Sequence, residues 1–341
     1  MAVTTEAPAA ARSNPLAPVL GLTTRPWFRP VAVAALLLVA LVVIPATMKP
    51  NWIANFTQMA IFASLAASAG LLYGRVGLVS LGQIAPYGIG AWVAIRLSFA
   101  TGLPFPLLIV AGGIVAMMLG LIIGIPALRV SGLYLALVTL MLVAAVELLL
   151  AEFKFANGGP GFRGVTKGLD AKPMRRPSFA QSDLAYFRFA VIASFALFML
   201  ATFMLARKPG RAWASIRQSE AAALSAGIDV TRYKLLAFAL ASFMAGCAGA
   251  LYAGSVPTSL NTSTFSRQQA IFLIAVVLMG GFHSLWGAVL AGFFGTCFLA
   301  FMKQNVLGHG LWDTIGFSLF GFGLITNLVQ STKAMEKKGL L

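Results

Sequence analysis

A chain of 341 residues that is 59% hydrophobic and 10% charged carries too little polar surface to close as a water-soluble globule, and it reads as a polytopic membrane protein. The net charge of +16 comes from 25 Lys and Arg against nine Asp and Glu. These basic residues are dispersed between apolar runs with no basic stripe and no nucleic-acid fold motif, so membrane orientation accounts for them better than nucleic-acid binding does.

Residues 1–26, rich in Ala, Pro, Thr and Ser, read as a disordered cytoplasmic tail. The first apolar run starts near Val31, after Arg25 and Arg29, and has no small-residue cleavage site; it is expected to be a retained span and not a signal peptide. At about 20 apolar residues per crossing, residues 27–330 form a transmembrane domain with spans expected near 31–48, 52–73, 81–100, 105–125, 131–151, 187–206, 233–255, 268–281, 285–302 and 311–330. The eighth is short, so it and the ninth can also be read as one broken unit around Gly280, Gly281 and Gly287. Residues 331–341 follow as a basic cytoplasmic tail. The expected fold class is therefore an all-α polytopic integral membrane protein of about ten transmembrane helices. Cys247 and Cys297 both lie in apolar runs without ligand-type neighbours, which supports neither a zinc site nor a disulfide framework.

Within the spans, GRVGLVSLGQIAPYGIGAW (residues 74–92) places Pro86 inside a helix and crowds it with Gly82, Gly88 and Gly90. A proline there frees backbone carbonyls, and small residues admit close helix contact or leave space for a solute. Gln83 and Tyr87, four apart, share the face beside that break. MGGFHSLWGAVLAG (residues 279–292) is a second such place, and both are equally readable as packing seams.

Residues 152–186 form a loop with six Lys and Arg, including Lys172, Arg175 and Arg176, against Glu152, Asp170 and Asp183. Its glycine cluster NGGPGFRG lacks the Lys-Ser/Thr ending of a phosphate-cradling loop, which occurs nowhere else in the chain either. The basic residues suit the seating of a soluble solute-binding protein by complementary charge, with a partnerless outer cap as the alternative.

RKPGRAWASIRQSEAAALSAGIDVTRYK (residues 207–234) is a polar island between two apolar segments. RAWASIRQSEAAALSA reads as one short helix, with Pro209 and Gly210 stopping the preceding span and Gly227 ending the helix. The face around Ala221, Ala222 and Ala223 is nearly bare, so another protein can approach the backbone closely, while Arg217 and Glu220 offer charges that fix orientation. By shape this is a docking element; an ordinary cytoplasmic loop is the bland alternative.

With the N-terminus inside, 14 of the 25 basic residues fall on the cytoplasmic side and 11 outside, seven of the latter between positions 154 and 188. Apart from that one loop the ratio is 14 to 4, which puts residues 207–234 and both termini in the cytoplasm and residues 152–186 in the periplasm. Glu147 and Asp313 are the only acids in the expected spans, so no carboxylate pair or histidine relay of the kind an ion-coupled carrier uses is visible. Backbone carbonyls can ligate sodium, which leaves a secondary carrier of a small neutral solute as a rival. His283 and His309 lie in a turn and a loop with no acid and nucleophile beside them, against a membrane-embedded hydrolase or transferase.

Residues 207–234 resemble the EAA-type coupling loop of ABC importer permeases, which seats in a groove of the ATPase. The resemblance falls on Arg217, Glu220, Ala221, Ala222 and Gly227; Ala222, Ala223 and Gly227 match the family spacing best, and Glu220 then sits one place early. This loop, together with VGLVSLGQIAPYGIGAW, RVSGLYLALVTLMLVAAVELL and LMGGFHSLWGAVLAG, resembles the segments of bacterial branched-chain amino-acid ABC importer permeases of the LivM type, in order, from about residue 53 to 330.

The resemblance implies a cytoplasmic coupling helix, a heterodimer with a second related permease, two cytoplasmic ATPases that use ATP and Mg, and a periplasmic binding protein. It implies no cofactor, no metal and no catalysis in this chain, and a translocation path at Ser80, Gln83, Pro86, Tyr87, Thr139 and Ser284. Gln83, Pro86 and Tyr87 stand where the family more often has histidine, small or phenylalanine residues, and His283 where glycine is usual. Related permeases carry urea, short amides or aromatic acids, so branched-chain amino acids lead the substrate list without closing it.

Overall fold

Long apolar runs can satisfy their backbone away from water only as helices, and the chain follows that rule. The computed structural model describes residues 41–42, 50–127, 130, 132–153, 174, 176–256, 260, 262–282 and 284–300. Two compact units divide the chain at residues 1–48 and 49–341; positions 41–42 are the described part of the first, and every helix named here lies in the second. The expected span 31–48 apart from those two positions, the span 311–330, both tails, the glycine cluster at 157–164, Lys172, Arg175, His283, His309 and Asp313 lie outside the described residues.

Helix α1 (Pro50–Gly70) runs on through a π-helical turn (Leu71–Val76). It is followed by α2 (Ile84–Thr101), α3 (Phe105–Ala127), α4 (Leu133–Glu152), α5 (Asp183–Ala206), α6 (Lys208–Gln218) and α7 (Glu220–Ser225). The chain then forms α8 (Val230–Ser255), α9 (Arg267–Gly280) and α10 (Leu285–Gly292), the last extended by a second π-helical turn (Phe293–Phe298). No strand occurs among the described residues. Among the described residues five helices are long and apolar enough to cross a bilayer, at Trp52–Val76, Phe105–Pro126, Tyr134–Glu152, Asp183–Ala206 and Val230–Ser255, with shorter apolar helices at Arg267–Gly280 and Trp286–Phe298. Among the described residues the regular structure is all helical, with several candidate spans, as in a polytopic membrane protein.

Three boundaries differ from expectation, each for a local reason. Pro86 is the third residue of α2, in the first turn, where its missing amide proton breaks no intrahelical bond; the irregular backbone lies before it, at residues 77–83. Helix α5 starts at Asp183 because Ser182 caps it, accepting the Ala185 N–H at 3.2 Å. The eighth and ninth expected spans are two helices folded as a hairpin about residues 281–284. Gly281 turns the chain at φ +92, and Gly280 and Gly287 lie so close that a methyl group on either would overlap the other strand of the hairpin's backbone.

Helix α8 is the most buried of the five long helices and α5 the least. The run Ala245-Gly246-Cys247-Ala248-Gly249-Ala250 gives α8 almost no bulk, so α2 and α3 rest against its backbone. A methyl at Gly246 would overlap the Ala116 side chain, one at Gly249 the Tyr87 carbonyl, and one at Gly90 the Gly246 carbonyl. Gly82 and Gly88 are less tightly set, with a hypothetical Cβ 3.1 Å from Thr139 Cβ and from Leu150 Cδ1 respectively.

The two ends of the bundle differ in charge. Around the close of α1 and α5, helices α6 and α7 and the start of α8 stand Arg75, Arg207, Lys208, Arg211, Arg217, Arg232 and Lys234 against Glu220 and Asp229. The opposite end carries Arg96, Arg176, Arg188 and Arg267 against Glu147, Glu152 and Asp183. The Gly90→Val variant is expected to force α2 off α8 and to show no cooperative unfolding transition in detergent by circular dichroism. Gly102→Ala, at φ +61 with nothing within 4 Å, should cost about 1–2 kcal/mol and keep a single transition.

Candidate functional site

At Gly77 the chain leaves α1 in the left-handed region, φ 84, and residues 77–83 join α1 to α2 as a largely buried stretch without a helix of its own. Bare amides at that depth need partners. Thr139 of α4, fully buried, supplies one: its hydroxyl oxygen accepts the Leu81 N–H at 3.0 Å while its O–H donates to the carbonyl of Leu135 or Ala136, at 2.9 and 3.0 Å. Ser80 Oγ accepts the Gly82 N–H at 3.3 Å. Gln83 stands at the N-cap position of α2 without a side-chain capping bond, and its Oε1 lies 3.3 Å from Ser68 Oγ of α1, whose proton also has the Leu65 carbonyl at 2.6 Å.

Tyr87 follows one turn on, its ring packed 5.7 Å from Tyr252 and 5.5 Å from Phe265. Ser80, Gln83 and Thr139 thus gather about one segment, with Tyr87 a turn along α2 from Gln83, and all four are buried. The arrangement is uncharged, built of hydroxyl, amide and aromatic groups. Among the described residues no group of three or more His, Cys, Asp or Glu is placed to hold a metal ion.

Ser284 is not part of this cluster. It caps α10, accepting the Gly287 N–H at 2.9 Å, at the mouth of an apolar cleft lined by Ala66, Gly70, Arg75, Leu205, Val277 and Phe282. Ser68, by contrast, belongs to the cluster and escaped notice in the sequence; its only signal was a hydroxyl within the otherwise small apolar run LAASAG.

The polar island at residues 207–234 folds as two helices, not one. Arg207 is extended and ends α5, while Pro209 and Gly210, expected to stop that span, occupy the first turn of α6. Ser219 interrupts the run in an extended conformation, φ −161 and ψ 122, and caps α7 by accepting the Ala222 N–H at 3.3 Å. Trp213 is fully buried, its indole N–H donating to the Tyr233 carbonyl of α8 at 2.8 Å.

The alanine face divides accordingly. Ala223 packs inward with Ile216 and Val230, whereas Ala221, Ala222 and Leu224 face outward. Gly227, at φ 75, closes the loop. Arg217 and Glu220, read from the sequence as charges offered to a partner, are both engaged within the chain. Arg217 donates to the Gly74 carbonyl, and Glu220 Oε1 sits 2.6 Å from Nζ of Lys234, which is 7% exposed.

At the opposite end Arg176 is similarly committed. Its Nε donates to the Gly254 carbonyl at 3.1 Å and Nη2 to the Ser255 carbonyl at 3.3 Å, so it caps the C-terminus of α8. Nη1 pairs with Asp183 at 2.6 Å, and the guanidinium lies 5.0 Å from the Tyr186 ring centroid. On the same side Glu147 lies 3.5 Å from Arg267, near the end of α4 and not at mid-depth.

Residues 51–329 match the family described as branched-chain amino acid transport system, permease component. Over 256 residues the chain is 32% identical to the high-affinity branched-chain amino acid transport system permease protein LivM of Salmonella typhimurium, covering 69% of this chain and 60% of that protein. The LivM protein of Escherichia coli is 31% identical over the same shares. The autoinducer 2 import system permease protein LsrC of Klebsiella pneumoniae is 29% identical over 175 residues, 50% of this chain and 47% of the relative. The chain thus spans about 60% of the length of the first two relatives. No solved structure matches.

Thr139→Val keeps the shape and removes the acceptor for the Leu81 N–H. Leaving that amide unpaired should cost about 1–3 kcal/mol, read as a lowered unfolding midpoint in detergent, with Thr139→Ser close to the parent.

Proposed function

The chain belongs to the permease family of branched-chain amino acid transport systems, and on that premise we propose that it is the permease subunit of an ATP-driven importer of branched-chain or related amino acids in the bacterial inner membrane. The observation that carries the reading beyond the family is the helical pair α6–α7 at the basic end of the bundle, with Ala221, Ala222 and Leu224 turned outward. A cytoplasmic ATPase would find there a small, low-relief surface on a rigid base.

In this reading the chain crosses the membrane ten times with both termini inside, residues 207–234 form the cytoplasmic coupling loop, and residues 152–186 face the periplasm. The positive-inside rule supports that sense, since the α6–α7 end has seven basic residues against two acids among the described positions. Two ATPases using ATP and Mg supply the energy, a second related permease completes a heterodimer, and a periplasmic binding protein delivers the solute.

ATP binding closes the ATPase pair, the coupling loop moves with it, and the permeases alternate between outward- and inward-facing states. The solute then passes the uncharged group at Ser80, Gln83, Tyr87 and Thr139, where backbone dipoles and hydroxyls meet its charged ends. The autoinducer 2 permease among the relatives widens the substrate class to other small polar solutes.

Reconstitution with the partner ATPase, permease and binding protein in liposomes is the test. ATP-dependent uptake of labelled leucine is expected, and uptake driven by an ion gradient without ATP would overturn the reading. Gly227→Val, which puts a β-branched residue at φ 75, should lower uptake at least tenfold while the protein still inserts. Labelling of cysteines at positions 215 and 225 from the outer surface would reverse the orientation.

A further inference from the structure

Helix α6 grips two different spans from positions one turn apart. Trp213 holds the first turn of α8, and Arg217 Nη1 donates to the Gly74 carbonyl inside the π-helical turn that ends α1. The Arg217 stem also lies over Gly77, where a Cβ would stand 3.3 Å from Arg217 Cγ. Gly77 opens the irregular segment whose amides are held by Ser80 and Thr139. A single side chain on the outward-facing helical pair thus reaches, through one carbonyl and one glycine, the backbone that carries Ser80 and Gln83.

The chemistry suits a fixed link. A guanidinium is charged at every physiological pH, presents a rigid fork of donors and is more weakly hydrated than an ammonium. A π-helical turn is a local departure from the regular ladder, a place where backbone can change register without unravelling the helix on either side. Glu220 and Lys234 secure α7 to α8 separately, so the Arg217 contact is the α6 connection that leads toward residues 77–83.

We propose that Arg217 is a positioning residue that ties the α6–α7 pair to residues 77–83, so that displacement of the pair shifts the polar segment. The use of this link in transport rests on the importer reading; the link itself is a property of the isolated chain.

The test places a Val79→Cys reporter in the full chain in membranes and follows its maleimide labelling, with Thr101→Cys at the far end of the bundle as control; Cys247 and Cys297 are buried. R217Q is expected to raise the V79C labelling rate at least tenfold and leave T101C unchanged. R217K, which keeps the charge but loses the fork, should fall between, and it carries the comparison alone if R217Q does not insert. Failure of both variants to shift V79C, or an equal rise at T101C, overturns the proposal. In the assembled importer, ATP should alter V79C labelling in the parent and not in R217Q. Should the parent show no ATP-driven uptake, the importer reading falls, while the labelling of the isolated chain still decides whether Arg217 holds the segment.

Discussion

The structure depends on one requirement: a peptide group placed in the interior of an apolar bundle must find its hydrogen-bond partner within the protein. Helices meet it automatically, and most of the described chain is helical. Residues 77–83 do not, and the side chains gathered around them follow from that deficit. Thr139 and Ser80 serve backbone amides, and Gln83 closes the gap to α1 beside Ser68. The same few buried groups that repair the backbone also tie α1, α2 and α4 together around the segment.

A second constraint is steric. With lipid as apolar as leucine, helices gain little by hiding side chains from it and more by approaching one another closely. Gly90, Gly246 and Gly249 allow that approach at the α2–α8 contact, and Gly280 and Gly287 allow it within the α9–α10 hairpin. Helices on the rim are made differently: α5 carries Ile192, Met199 and Phe203 on an exposed apolar surface.

Much of this is legible in the residues. Long apolar runs place α1, α3, α4, α5 and α8 to within a few positions, because a span's length is set by the bilayer and not by neighbours. In the glycine-crowded stretches a Cβ at Gly90, Gly280 or Gly287 would overlap neighbouring backbone, whereas one at Gly281 would meet nothing within 4 Å. Legibility stops where a partner is remote or a single side chain outbids propensity. Nothing local says that Arg217 will find the Gly74 carbonyl 143 positions away, or that Arg176 will close the end of α8. Ser219 stands in a run of good helix formers, yet its hydroxyl offers the next turn a cap and the helix divides there. Pro86 does not break a span from within: the irregular backbone lies before it, since proline favours a helix's first turn.

Helix α8 is held by charge at both extremities, with Lys234 locked to Glu220 near its start and Arg176 clasping the carbonyls at its close. Sliding this rod along its own axis would tear one fastening or the other, so the two together fix how far α8 reaches between the two faces of the bundle.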